Sequence, residues 1–173
     1  MDKHAPTYCP QCGTTLESQE IEGRSRPFCP SCQQPIYRNP KPCAGVVVVE
    51  DDQLLLVKRS RPPRLGMWSV PAGFLEYDEP PEIGAARELK EETGVGVEAT
   101  DLELFNTVFV TTEIRENVLV ILYRICRSQT EGEVKAGSDA AAAQFWTQSA
   151  FEDSGQEIDP SHRDVFDQAI ADN

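Results

Sequence analysis

Three glutamates, Glu88, Glu91 and Glu92, stand three and four residues apart in a stretch rich in Glu, Ala, Leu, Lys and Arg. Residues at that spacing share a helix face, so the three carboxylates are expected to project together, with Gly84 one turn before Glu88 on the same side. Like charges this close repel unless a counter-ion relieves them. A hard cation that prefers oxygen ligands and keeps some of its waters, Mg²⁺ or Mn²⁺, does so. The alternative is a solvated acidic helix face that holds nothing. Ile83, Ala86 and Leu89 fall away from the carboxylates and are expected to face the core, which would turn the acidic face toward a cleft. Gly84 and Ala85 leave space there for a phosphate or a folded-back loop.

A second set of ligand-type residues lies near the N-terminus. Cys9-Pro10-Gln11-Cys12 and Cys29-Pro30-Ser31-Cys32 repeat one spacing, separated by 16 residues. Two such turns let four thiolates converge on one Zn²⁺ and close its tetrahedral shell, leaving no position for substrate, so the expected role is structural. A segment of this length has little core to bury, and metal binding would supply its folding free energy. The competing readings are a pair of disulfides, disfavoured in a reducing compartment, and a redox pair, which the doubled motif argues against. Cys43 and Cys126 lie in apolar runs and read as buried small hydrophobes. Arg24, Arg26 and Phe28 between the cysteine pairs suit a packing module better than an extended nucleic-acid track.

The elements that must position these residues follow from pattern. The chain has 173 residues, 39% hydrophobic and 26% charged, which suits a folded domain with a small appendage. Pro35 to Pro42 holds three prolines and reads as an extended linker, dividing the chain into residues 1–38 and 39–173. Ala44 to Glu50 and Gln53 to Arg59 flank Asp51-Asp52 as a hairpin. A helix is predicted from Pro80 to Thr93, with Gly94 as its C-terminal cap. Strands are predicted at 103–111, 117–127 and 144–147, and a last helix at about 161–171. Strands on both sides of the main helix predict a mixed sheet packed between helices, an α/β fold. Lys58, Arg59, Arg61 and Arg64 form a basic cluster; Lys58 or Arg59 suits a phosphate contact, although a solvated hairpin end explains the cluster equally well.

The net charge of −13, with 22 of the 29 acidic residues after Gly73, disfavours nucleic acid and anionic membranes as partners. The apolar runs are far shorter than the roughly 20 residues a bilayer requires. No secretory signal is read at Met1 to Tyr8, so a cytoplasmic location is expected.

The segment from Gly73 to Val95 fits G-x5-E-x7-R-E-U-x-E-E-x-G-U, where U is aliphatic, through Gly73, Glu79, Arg87, Glu88, Leu89, Glu91, Glu92, Gly94 and Val95. It resembles the Nudix hydrolases, and the flanking runs at 54–59, 66–73 and 145–146 are similar to that family as well. The resemblance implies an α/β/α sandwich with a mixed sheet, here preceded by a small zinc ribbon. It implies Mg²⁺-dependent hydrolysis of a nucleoside diphosphate linked to another moiety. Carried over, Glu88, Glu91 and Glu92 hold the metal or activate water, the Ala72 carbonyl adds a ligand, and Arg87 fixes the carboxylates through Glu79 or Glu91. The family commonly places another acidic residue before the late strand; here Ala140 to Ala143 occupy that place, leaving Asp139 nearby and Glu113 and Glu116 as further candidates. A four-cysteine ribbon ahead of such a domain resembles NADH, FAD and ADP-ribose pyrophosphatases. The S-Q-P-W-P-F-P signature of the NADH branch is missing after the box, so the resemblance supports a dinucleotide or ADP-ribose-like substrate only as a class. A nucleotide sensor without turnover and a ribbon-directed RNA or protein adaptor are the alternatives, and a homodimer is compatible with either layout.

Overall fold

The computed structural model describes residues 6–111, 117–137 and 139–171. The chain divides into two compact units, with the boundary between Pro40 and Lys41. In the first, β1 (Glu17–Ile21) and β2 (Arg24–Cys29) pair antiparallel, and the short β3 (Gln34–Pro35) adds to the end of β2. The β1–β2 turn is made by Glu22 and Gly23, both at positive φ, a geometry that glycine adopts without a Cβ penalty. Strand β1 is almost wholly exposed, and Cys9 and Cys29 are the only buried residues described in this unit. Its interior is therefore sulfur rather than hydrocarbon.

The second unit is built on a seven-stranded sheet. Its strands are β4 (Lys41–Glu50), β5 (Gln53–Arg59), β6 (Trp68–Ser69), β7 (Ala72–Phe74), β8 (Glu103–Val110), β9 (Val118–Cys126) and β10 (Ala140–Thr147). The order is β10-β5-β4-β9-β8, with β6 on β5 and β7 on β4; β4 and β9 run parallel and every other pair is antiparallel. Helix α1 (Pro81–Thr93) covers one face, while α2 (Gln148–Asp153) and α3 (Arg163–Ala171) contribute to the core of the other. The period-2 alternation of β4 shows why both faces need cover. Val46 and Val48 pack with Leu55, Ala85, Leu89 and Val95, whereas Val47 and Val49 pack with Leu54, Leu56, Phe151, Val165 and Phe166. The result is an α/β/α sandwich with a mixed sheet.

Helix α1 starts where Pro81 occupies the first turn, a position that needs no amide donor, and ends at Gly94, whose φ of 74° closes it in the left-handed conformation. Its buried stripe differs from the one expected. Ile83 is 48% exposed and Ala86 only partly buried; the residues that enter the core are Gly84, Ala85, Leu89, Glu92 and Thr93. The helix is thus rotated so that Ala85, Leu89 and Glu92, one and two turns apart, share the inner face. Two further differences concern extent, and one concerns burial. Strand β10 begins at Ala140 rather than Gln144, because pairing with β5 outweighs the weak strand preference of alanine. The linker is shorter than Pro35 to Pro42, since β3 takes Gln34–Pro35 and β4 starts at Lys41. Cys43 is buried as expected, but Cys126, at the end of β9, is exposed.

Candidate active site and cysteine cluster

The loop before α1 is anchored by β7, in which Ala72 pairs with Gly45, Gly73 with Ala44 and Phe74 with Cys43. Two glycines let the loop and helix close on each other. A Cβ on Gly73 would lie 2.1 Å from the carboxyl carbon of Glu88, so the Glu88 side chain rests directly on bare backbone. A Cβ on Gly84 would meet Leu75 at 2.4 Å and Glu79 at 2.8 Å. The space beside Gly84 therefore receives the folded-back loop.

Arg87 ties the loop to the helix. Its guanidinium donates to both oxygens of Glu79 at 2.8 and 2.9 Å, to Glu88 at 2.7 Å, to Glu91 at 3.3 Å and to the carbonyl of Phe74 at 3.1 Å. The planar fork matches a carboxylate in two parallel bonds, which fixes orientation as well as charge. The Arg87 bonds hold the Glu79 carboxyl below its usual range, and Glu79 in turn holds the guanidinium firmly charged. Both partners expected for Arg87, Glu79 and Glu91, are engaged.

Glu88, Glu91 and Glu92 occupy different depths. Glu91 is about half exposed, Glu88 is partly buried, and Glu92 is only 5% exposed. Glu92 accepts one hydrogen bond from the Ala72 amide at 3.0 Å. Burial pushes the Glu92 carboxyl up to about 8 against that bond, with the charges of Asp139 and Glu88 adding to the rise. Burial also raises Glu88, opposed by Arg87. The Ala72–Gly73 backbone thus lies between two crowded carboxylates, Glu88 on Gly73 and Glu92 on the Ala72 amide. Oxygen donors that resist ionising together are a donor set suited to a hard divalent cation.

Asp139 belongs to the same neighbourhood. Its charge raises both Glu88 and Glu92, and its backbone carbonyl accepts the Ser60 amide at 2.9 Å and the Ser60 hydroxyl. Glu113 and Glu116 lie outside the described residues. Lys58 and Arg59 part company, as adjacent strand residues must. Lys58 donates to Gln156 at 2.9 Å and sits over the Trp68 ring, whereas the charge of Arg59 acts on Glu92 and its Nε donates to the Pro63 carbonyl at 3.2 Å. The Ser60–Asp139 contact is one that sequence reasoning missed, since it joins residues far apart in the chain.

In the first unit the sulfurs of Cys9, Cys12, Cys29 and Cys32 all lie within 4.8 Å of one another. Four convergent sulfurs fit a tetrahedral metal site. The hydroxyl and backbone of Thr14 pull the Cys12 thiol down to about 6, while the neighbouring sulfurs push Cys32 up to about 12. One cation bound by all four sulfurs would relieve this crowding.

The family profile of the NUDIX domain matches residues 39–168, and the chain belongs to that family. Its relatives include a MutT-like protein of Streptomyces ambofaciens, 38% identical over 103 residues, which are 60% of each chain. An ADP-ribose pyrophosphatase of Methanocaldococcus jannaschii is 32% identical over 111 residues, 64% of each chain. An NAD-capped RNA hydrolase NudC of Vibrio atlanticus is 39% identical over 92 residues, covering 52% of this chain and 32% of the relative. The matches therefore span less than two thirds of these relatives. A crystal structure of a NUDIX hydrolase from Nitrosomonas europaea superposes with a TM-score of 0.70 at 25% identity, covering 95% of this chain and 89% of that one. Among the described residues no helix is long and apolar enough to cross a membrane.

Proposed function

We propose that the protein is a Mg²⁺- or Mn²⁺-dependent diphosphatase that hydrolyses a nucleoside diphosphate linked to another moiety, of the ADP-ribose or dinucleotide kind. The observation that carries this reading is the Ala72–Gly73 backbone held between the Glu88 and Glu92 carboxylates, with Arg87 locking the loop to the helix. Family membership and the relative named ADP-ribose pyrophosphatase support it.

Glu88, Glu91, Glu92 and the Ala72 carbonyl would hold the divalent ion, which when bound screens the diphosphate and lowers the pKa of a bound water. Glu79 and Arg87 orient the carboxylates without touching the substrate. A carboxylate of this set takes the proton of the attacking water. Arg59, whose charge acts on Glu92, is the better candidate of the two basic residues to meet a phosphate; Lys58 is occupied by Gln156. Zn²⁺ in the four-cysteine cluster would be structural, because four thiolates leave no open position.

The test is a panel of ADP-ribose, NADH, NAD, FAD and diadenosine polyphosphates, assayed with Mg²⁺ and with Mn²⁺. Metal-dependent release of a nucleoside monophosphate from at least one of them is expected. Saturable binding of these compounds with no turnover under any metal would replace the enzyme reading with that of a nucleotide sensor.

A further inference from the structure

The four cysteines of the first unit share one cluster but not one environment. Cys9 is 3% exposed and Cys29 wholly buried, Cys32 is intermediate, and Cys12 is exposed. The cluster thus presents the Cys12 sulfur to solvent, with the Thr14 hydroxyl 3.3 Å from it. Behind it stands a sulfur that solvent does not reach: Cys29 Sγ lies 3.5 Å from Cys12 Sγ and accepts a hydrogen bond from the Cys32 amide at 3.3 Å. An accessible thiol backed by a protected one is the arrangement in which an oxidised sulfur meets a partner before it is oxidised further. Cys126 is exposed too, but it lies at the end of β9, outside the cluster. Exposure alone therefore does not define the site; nearness to Cys29 does.

We infer that Cys12 is a modification site for peroxides, with Cys29 as its resolving partner, so that the cluster gives up its metal through a Cys12–Cys29 disulfide. This rests on the reading of the cluster as a zinc site. The Cys12 thiolate attacks one oxygen of hydrogen peroxide, the O–O bond breaks, the sulfur becomes a sulfenic acid and the other oxygen leaves as hydroxide. The Cys29 thiolate then attacks the Cys12 sulfur, the S–O bond breaks, and a second hydroxide leaves. Two thiolates have given two electrons to one peroxide, and the buffer protonates both hydroxides. A disulfide sulfur is no longer a thiolate ligand, so Cys9 and Cys32 are left with a half-filled metal shell.

The experiment treats the zinc-replete full chain, carrying Cys126→Ser, with hydrogen peroxide. Zinc release is followed with a chromogenic chelator, and thiol state by alkylation and peptide mass spectrometry. Stoichiometric release is expected, with Cys12 linked to Cys29 in the first disulfide to form and a dimedone adduct on Cys12 when the reaction is trapped early. Dithiothreitol with Zn²⁺ should restore the metal-bound chain. Cys12→His, which keeps a zinc ligand without a thiol, should slow release about 10-fold or more, whereas Cys32→His should change it by less than about 3-fold. A first disulfide between Cys9 and Cys12 or through Cys32, parental release in Cys12→His, or zinc retained by the peroxide-treated parent would overturn the inference while leaving the zinc reading intact. The parental disulfide map decides the matter even where a variant takes up no zinc. A parent that takes up no zinc before peroxide is added would overturn both.

Discussion

The cysteine cluster and the carboxylate helix both bring mutually repelling ligand groups together, and they do so by opposite means. In the first unit the candidate ligands are the core: Cys9 and Cys29 are the buried residues among those described, and β1 is laid out to solvent. In the second the core comes first. Ala85 and Leu89 are fully buried against Val46 and Val48, and that packing carries Glu88 and Glu92 to the loop. A metal has a different energetic meaning in the two places: it is expected to create the first unit and merely to be received by the second.

The largest effect that would break this contrast is metal removal. Zinc in such peptides contributes about 10–16 kcal/mol, so a strong chelator should collapse the amide NMR spectrum of residues 6–40 while that of the second unit persists. Survival of the ribbon signals without metal would refute the distinction. Next in size is the chemistry. Glu91→Gln or Glu92→Gln should reduce turnover by about a hundredfold or more, with the metal-free variant no less stable than the metal-free parent because like-charge repulsion is relieved. Steady-state kinetics paired with thermal melts checks both halves of the statement. In the hydrocarbon core, Leu89→Ala should cost about 2–5 kcal/mol in urea unfolding of the second unit, through the cavity it leaves beneath the glutamates.

Acid sharpens the comparison with a smaller effect. His162 is buried, neither ring nitrogen has a hydrogen-bond partner, and burial lowers its ionisation range; Asp159 opposes that shift, while Arg64 and Arg59 add to it. The folded state then refuses a proton that the unfolded chain accepts. The stability this confers is present above the unfolded value of 6.5 and is lost as pH falls below it through the lowered folded range. His162→Phe should flatten that part of the second unit's pH–stability curve, measured by urea titration between pH 5 and 8.

Much of the candidate site was legible because its residues are local. The spacing from Gly73 to Val95 encodes a loop and a helix in one stretch, and the doubled cysteine turn needs only chain geometry. What escaped depends on partners elsewhere. The phase of α1 is set by Leu89 and Ala85 meeting β4, which the glutamate spacing alone does not report, so Glu92 turns inward while Glu91 faces out. Strand β10 exists over four alanines because β5 offers it hydrogen bonds. Strands β6 and β7 are too short to show a period, and α2 is a helix of six residues capped by the Thr147 side chain on the Ala150 amide at 3.1 Å. Lys58 and Arg59 looked equivalent in sequence and diverge because consecutive strand residues face opposite sides.

The parallel pairing of β4 with β9, from Lys41 opposite Val118 to Val49 opposite Cys126, has a consequence for how the molecule is made. Helix α1 rests on β4, and β4 is a central strand only once β9 has arrived beside it. A chain emerging in sequence order holds every residue from Gly73 to Val95 long before that neighbour exists, and contacts between distant segments close slowly. Residues 72–95 are therefore expected to remain an unanchored acidic segment during synthesis. They acquire their arrangement together with β9 and the turn at Asp139, in a late step of assembly.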